Sequence, residues 1–166
     1  MWIHKFERHN KIKKKLLNLI KEIPQNTIKE AEDNISHSDY YLSRNFKRNY
    51  LDYFYENINE HMQMLCNIFH SQTWSIKSSW FQQYCKGDSH GWHNHGESQF
   101  AGIYYLEMPD KSMTTEFLNK TEVIVKEGDI LIFPSYLYHR SKKNSLEKRK
   151  TVIAFNCSFD VWNGNR

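Results

Sequence analysis

Residues 98–110 run Ser98-Gln99-Phe100-Ala101-Gly102-Ile103-Tyr104-Tyr105-Leu106-Glu107-Met108-Pro109-Asp110. The aromatic and apolar residues from Phe100 to Leu106 favour an extended strand, and Pro109-Asp110 stops it, because proline has no N–H to give to a sheet ladder. The same pattern recurs on both sides. C-terminal to it come Thr114 to Leu118, Glu122 to Lys126, a Glu127-Gly128-Asp129 turn, Ile130 to Phe133 before Pro134, and Thr151 to Phe159. N-terminal to it, Thr73 to Tyr84 reads as a strand with Trp74, Ile76, Ser78, Trp80, Gln82 and Tyr84 on one face, followed by a Lys86-Gly87-Asp88 turn. Short strands separated by tight turns every ~8–12 residues predict a β-sandwich or barrel, not a parallel βαβ sheet.

Further upstream the period lengthens. Ile12, Leu16, Leu19, Ile20 and Ile23 recur at helical spacing with Lys11, Lys13, Lys14, Lys15 and Lys21 on the other face, so residues 5–23 read as an amphipathic helix ended by Pro24. Residues 25–41 are polar and turn-rich and are expected to lack regular structure. Leu51, Phe54, Tyr55, Ile58, Met62, Leu65 and Phe69 mark a second helix over about residues 48–69. Both helices are expected to pack their apolar faces on one side of a sheet.

The 166 residues suit one domain with a core of ordinary size, and 39% apolar and 15% aromatic content argues against disorder. The net charge of +4 is uneven: residues 1–22 hold seven Lys/Arg against two Glu, and residues 140–150 hold six against one. Such runs are usually solvated faces, although they leave a nucleic-acid partner conceivable. Cys66, Cys85 and Cys157 are odd in number and widely spaced, which excludes a disulfide framework and a thiolate zinc knuckle and fits a reducing cytoplasm. No stretch reaches the ~20 apolar residues of a membrane helix, and the basic N-terminus lacks the apolar run of a signal peptide.

Immediately before the opening strand lies Ser89-His90-Gly91-Trp92-His93-Asn94-His95-Gly96-Glu97-Ser98. On an extended chain residues i and i+2 point the same way, so His93 with His95, or His95 with Glu97, could face one metal ion. His139, 44 positions after His95, is the remaining histidine of the C-terminal half and the natural distal ligand. Three ligands would leave the open positions that a catalytic metal needs. Arg149 opens the last strand with Thr151 on its face, and a guanidinium with a hydroxyl suits the grip of a carboxylate.

These blocks stand in a recognisable order. Trp80…Tyr84-x-x-Gly87-Asp88, Trp92-His93-x-His95, Ala101-Gly102-Ile103-Tyr104-Tyr105-Leu106, Gly128-Asp129-Ile130-Leu131-Ile132-Phe133-Pro134-Ser135, His139 and Arg149-Lys150-Thr151-Val152-Ile153-Ala154-Phe155-Asn156 together resemble the 2-oxoglutarate- and iron(II)-dependent oxygenases of prolyl-4-hydroxylase-like type, common in marine phages and bacteria. The resemblance covers roughly residues 74 to 160. It implies a mainly β fold with N-terminal helices, a double-stranded β-helix or jelly roll: one domain over 1–166, with 1–72 as helical support and 73–160 as the catalytic core. It also implies a dioxygenase that uses iron(II), 2-oxoglutarate, O₂ and, as an accessory, ascorbate. Such an enzyme would hydroxylate a protein, peptide or small-molecule substrate, with a prolyl residue as the family-level guess.

By position, the resemblance makes His93, His95 and His139 the metal ligands and Arg149 the residue binding 2-oxoglutarate, assisted by Tyr105, Thr151 and Tyr84. His95 then stands where the family has Asp or Glu, which raises the charge on the metal by one unit. A His95-Gly96-Glu97 register would restore the carboxylate that iron sites of this kind use. The order of the blocks favours His93 with His95. Two readings of another kind stand beside the enzyme: a jelly-roll module holding zinc or nickel without turnover, for which a closed site including His90 would speak, and an oxygenase acting on nucleic acid through the basic patches.

Overall fold

The computed structural model describes residues 1–160. In chain order the elements are β1 (Trp2–Lys5), α1 (His9–Lys21), β2 (Ile28–Glu30), β3 (Asp33–Ile35), β4 (His37–Ser38), α2 (Asn49–Phe69), β5 (Thr73–Tyr84), β6 (His90–His93), β7 (Phe100–Glu107), β8 (Thr115–Phe117), β9 (Asp129–Pro134), β10 (His139–Ser141) and β11 (Lys150–Asp160). One antiparallel sheet has the order β1-β9-β7-β11-β5-β4, a second has the order β6-β10-β8, and β2-β3 forms a hairpin. From β5 to β11, successive strands alternate between the first two sheets. That alternation is how a jelly roll winds.

The alternation of side chains along each large-sheet strand feeds two cores. Tyr104, Leu106, Ile130, Ile132, Ile153 and Phe155 pack with the helices, where Ile12, Leu16 and Ile20 of α1 and Phe54, Ile58 and Met62 of α2 are fully buried. Tyr105, Leu131, Phe133 and Val152 point the other way and meet Met113, Phe117, Val123 and Val125. The helices therefore cover one face of the large sheet, and the small sheet faces the other. Gly102 is required at the first interface, because a Cβ there would lie 2.2 Å from the Phe155 ring. The expected turns at Gly87 and Gly128 have φ of +92° and +89°, which glycine adopts without strain.

Four sequence expectations change. The first helix starts at His9, because Trp2–Lys5 instead adds an edge strand to β9, with Ile3 opposite Leu131. Residues 25–41 contain β2, β3 and β4; β3 is tied to the barrel through Asp88, whose carboxylate accepts from Asn34 Nδ2 at 2.9 Å and Ser36 N at 3.0 Å. Residues 122–126 bury Val123 and Val125 but form no strand.

The fourth change is in β5. Cys157 pairs with Ile76 and Asn156 with Ser78, so Lys77 is an extra residue that bulges out and reverses the face. Trp74 and Ile76 consequently pack toward the helices, while Trp80, Gln82 and Tyr84 face the barrel. Among the described residues no helix is long and apolar enough to cross a membrane, and Cys66, Cys85 and Cys157 are all free thiols. The expected single domain includes residues 161–166, which lie outside the described residues.

Candidate metal centre

His93 ends β6, His139 begins β10, and the two are direct cross-strand partners. His95, two residues on, is fixed by donating its backbone N–H to the Ser135 carbonyl at 2.9 Å. The strand pairing thus brings a distant histidine to a local pair, and one ligand atom from each of His93, His95 and His139 lies within 4.8 Å of the others.

Two hydrogen bonds orient the rings. His93 Nδ1 lies 2.9 Å from the Gly91 carbonyl, and His139 Nδ1 lies 2.9 Å from the Leu137 carbonyl. A carbonyl only accepts, so each Nδ1 carries the proton and each Nε2 presents its lone pair. Burial also disfavours the charged forms, lowering His139 to about 3 and His95 to about 4 and pulling His93 below its ordinary value. All three are neutral at physiological pH, the form in which imidazole binds metal.

Two candidate ligands stay outside this group. His90 stacks on His93 with ring centroids 3.9 Å apart, and its Nε2 is 3.7 Å from Asp33 Oδ2, so it lies against a candidate ligand without closing the site. Glu97 is exposed and faces an outer chamber. The geometry gathers the histidine set and not the His95–Glu97 pair.

The histidines line a narrow cavity together with Tyr84, Thr115, Ser141, Lys150 and Val152. Two cations line it: Arg140 is paired with Glu116 at 2.6 Å, whereas Lys150 is 2% exposed and meets no carboxylate among the described residues. Lys150 Nζ donates to the Met113 carbonyl at 2.7 Å and Ser141 Oγ at 3.0 Å, and lies 5.4 Å from the Tyr84 ring and 5.6 Å from the Tyr105 ring. None of these carries a negative charge. Burial alone pulls its ammonium down to about 7.

Arg149 is elsewhere. Its Nε and Nη2 donate to the Glu107 carboxylate at 2.9 and 3.2 Å, and the Thr151 hydroxyl donates to the same carboxylate. Arg149 and Thr151 do share a partner, as their spacing requires, but neither lines the cavity. The expected grip of Arg149 on a carboxylate is thus made to the protein's own Glu107. Tyr84 lines the cavity and donates its hydroxyl to Gln82 Oε1 at 2.8 Å. Tyr105 bonds Thr115 Oγ1 at 2.7 Å, so its hydroxyl is committed to a neighbouring strand.

Lys150 escaped the sequence reading because it sits in the Lys148-Arg149-Lys150 run before a strand that is apolar at 152, 153, 154 and 155. With both faces apolar, the period of two says which residues share a face but not which face is inside. The available signal lay across the strand pair: Lys150 stands opposite Tyr84, which the turn after it places at the barrel end.

No family model matches the sequence, and no curated protein matches it. Solved structures do. A viral collagen prolyl hydroxylase from Paramecium bursaria Chlorella virus 1, determined as a 2-oxoglutarate complex, is 13% identical over 95% of this chain and 96% of its own, with a TM-score of 0.61. An oxidoreductase of the 2OG-Fe(II) oxygenase family from Burkholderia pseudomallei is 10% identical over 87% and 77%, at 0.70. A Pseudomonas putida prolyl-4-hydroxylase is 9% identical over 93% and 91%, at 0.62. At these identities the likeness is one of fold: the chain has the double-stranded β-helix of these oxygenases, as its strand order indicates.

Proposed function

We propose that the chain is a 2-oxoglutarate- and iron(II)-dependent dioxygenase, with His93, His95 and His139 as metal ligands and Lys150 in the carboxylate-binding role that the family resemblance implies for Arg149. The observation that carries this is the pairing, in one cavity, of three convergent neutral imidazoles with a buried ammonium that has no counter-ion among the described residues. A buried cation is costly unless something anionic meets it. A dicarboxylate that chelates a metal at one end and carries a carboxylate at the other answers both features.

The donor set fits such a metal, because imidazole suits iron(II) among other first-row ions and three ligands leave positions open. Iron(II), when bound, supplies the redox chemistry by which O₂ and 2-oxoglutarate become succinate, CO₂ and a hydroxylated C–H bond. The protein's own residues do the rest. The carbonyls of Gly91 and Leu137 hold the His93 and His139 lone pairs inward. Lys150, with Ser141 and Thr115 beside it in the cavity wall, fixes the far carboxylate and hence the direction in which the co-substrate lies. Apolar Val152, Ala154 and Ile103 keep bulk water from that wall. With no carboxylate among the protein ligands, the co-substrate would supply the anionic donor to the metal.

A structural zinc or nickel module is disfavoured, because such a site closes with a fourth ligand and His90 does not join the group. Prolyl hydroxylation of a protein or peptide is the substrate reading supported by the names of two structural neighbours. The free thiols suit a reducing cytoplasm. The test is mass spectrometry for succinate formed from 2-oxoglutarate with iron(II), ascorbate and air. Succinate that depends on Lys150 is expected; absence of both turnover and 2-oxoglutarate binding overturns the proposal.

A further inference from the structure

Beyond His95 and Trp80 the narrow cavity gives way to a wider outer chamber of about 810 Å³. Trp80 and His95 line both spaces. Aromatic rings lead in from the surface: Tyr41 and Tyr40, 59% and 53% exposed, lie 5.0 Å apart, Tyr40 lies 5.1 Å from Trp80, and Trp80 lies 5.8 Å from His95. The chamber wall also holds polar atoms with nothing to bond. Trp80 Nε1 and Asn156 Oδ1 are buried, on residues each 7% exposed, and find no partner among the described residues. Asn156 spends its Nδ2 on Ser78 Oγ at 3.0 Å, which leaves the carbonyl oxygen facing a need for a donor.

Buried polar groups are nearly always paired, and each unpaired one calls for a ligand or a water. Here Trp80 Nε1 is a pure donor and Asn156 Oδ1 a pure acceptor; a third unpaired atom of the lining, Ser79 Oγ, belongs to the alternate face of β5. Trp80 pairs with Ala154 and Asn156 with Ser78, so the two residues sit one diagonal step apart on the same face of adjacent strands. That separation is ~7–8 Å between Cα positions, more than a single hydroxyl spans between two partners. A secondary amide offers an acceptor and a donor on separate atoms. Of the charged side chains lining the chamber, Arg48 is held by Asp39 at 2.8 Å, and Arg44, Lys77 and Glu97 are exposed to solvent.

We propose that the outer chamber is the substrate site and that Trp80 Nε1 and Asn156 Oδ1 clamp an uncharged secondary-amide group of the substrate against the Tyr40–Trp80 wall. This would hold the attached carbons beside His95. The inference rests on the oxygenase reading only for what happens to the bound group, not for its recognition.

The test is NMR of the Trp side-chain N–H resonances in ¹⁵N-labelled protein, with Trp80 assigned by Trp80→Phe and three probes of one shape: N-methylacetamide, methyl acetate and sodium acetate. The amide is expected to move the Trp80 resonance in a saturable way, several-fold more than the ester, which has no donor for Asn156, or the anion. Asn156→Leu is expected to erase the advantage of amide over ester. Equal responses to all three probes, or none to the amide, overturn the proposal, and this comparison needs only the wild-type protein. Zinc(II) and 2-oxoglutarate added to the same sample report on the inner cavity. If they fail to bind while the amide response persists, the oxygenase reading falls and the chamber stands; the reverse result removes the amide clamp alone.

Discussion

The two ends of the inner cavity are prepared for opposite charges by opposite means. At the β6–β10 end, three imidazoles are kept neutral, and two donate their Nδ1 protons to backbone carbonyls. At the β8–β11 end, a lysine is enclosed by a carbonyl, a hydroxyl and two rings, all uncharged. Neutral imidazoles in a dry site cost little, whereas an enclosed ammonium costs a great deal. The histidine end should therefore contribute function at small expense of stability, and the lysine end should trade one against the other.

The largest effect expected is at the histidine end. His139→Ala removes a candidate ligand from a site that has only three, and metal affinity should fall well beyond the ~10–100-fold that loss of a supporting residue typically causes. Glu97→Ala should leave metal affinity unchanged, because Glu97 lies outside the convergent group. Calorimetric titration with zinc(II) or iron(II) separates the two. A Glu97 effect as large as the His139 effect would restore the carboxylate register.

The histidine end was also the more legible in the sequence. His93 and His95 lie two apart on one extended segment, and a single later histidine could complete them, so local spacing carried most of the information. The continuous apolar and aromatic runs of β7 and β9, bounded by turns and proline, were equally readable as strands. What could not be read were features set by pairing. The Lys77 bulge turned Trp74 and Ile76 away from the face of Trp80, and nothing in Trp74-Ser75-Ile76-Lys77 announces an extra residue. β1 joins the sheet only because β9 offers an edge, and β3 is held by Asp88, 55 positions after Asp33. The inward face of β11 was undecidable for the reason given for Lys150.

Lys150→Met should weaken 2-oxoglutarate binding by ~100-fold, the loss of one charge-assisted contact. It should simultaneously raise thermal stability. A lysine held near 7 rather than at its ordinary value of 10.5 is penalised while charged by at most on the order of 5 kcal/mol. The folded-state value lies below the unfolded one, so the penalty is complete below about pH 7 and relaxes as pH rises toward 10.5, where the folded protein has already released the proton. The stabilisation by Met should accordingly be larger at pH 6 than at pH 9. Thermal denaturation at the two pH values checks this, and a destabilised Lys150→Met at pH 6 would show that the ammonium is better compensated than its neighbours indicate.

The same lysine gives the co-substrate a pH dependence. Below about 7 the ammonium is already present in the free protein, and affinity for 2-oxoglutarate should be flat with pH. A bound carboxylate raises the lysine's pKa, so above 7 binding must take up a proton, and affinity should fall by up to ~tenfold per pH unit. His95 and His139, held near 4 and 3, do not change charge in this window. Calorimetry in buffers of different ionisation enthalpy should detect uptake approaching one proton at pH 8.5 and little at pH 6. Uptake that persists in Lys150→Met would assign it to another group.

The smallest effect expected is at Arg149, and it is the sharpest check on the orientation of β11. Its side chain is 34% exposed and its partner Glu107 21%, so solvent screens the pair and its loss should cost no more than ~1 kcal/mol. Arg149→Met leaves Glu107 with the Thr151 hydroxyl, on a side chain that does not line the cavity. Affinity for 2-oxoglutarate should change by less than ~2-fold, within the range of a screened charge outside the site. If Arg149→Met abolished binding while Lys150→Met did not, β11 would have to present its other face to the cavity. That would bury Thr151 and Ile153 against the histidines and expose Val152 to the helices, undoing both cores at once, because a strand cannot turn one residue without turning all of them.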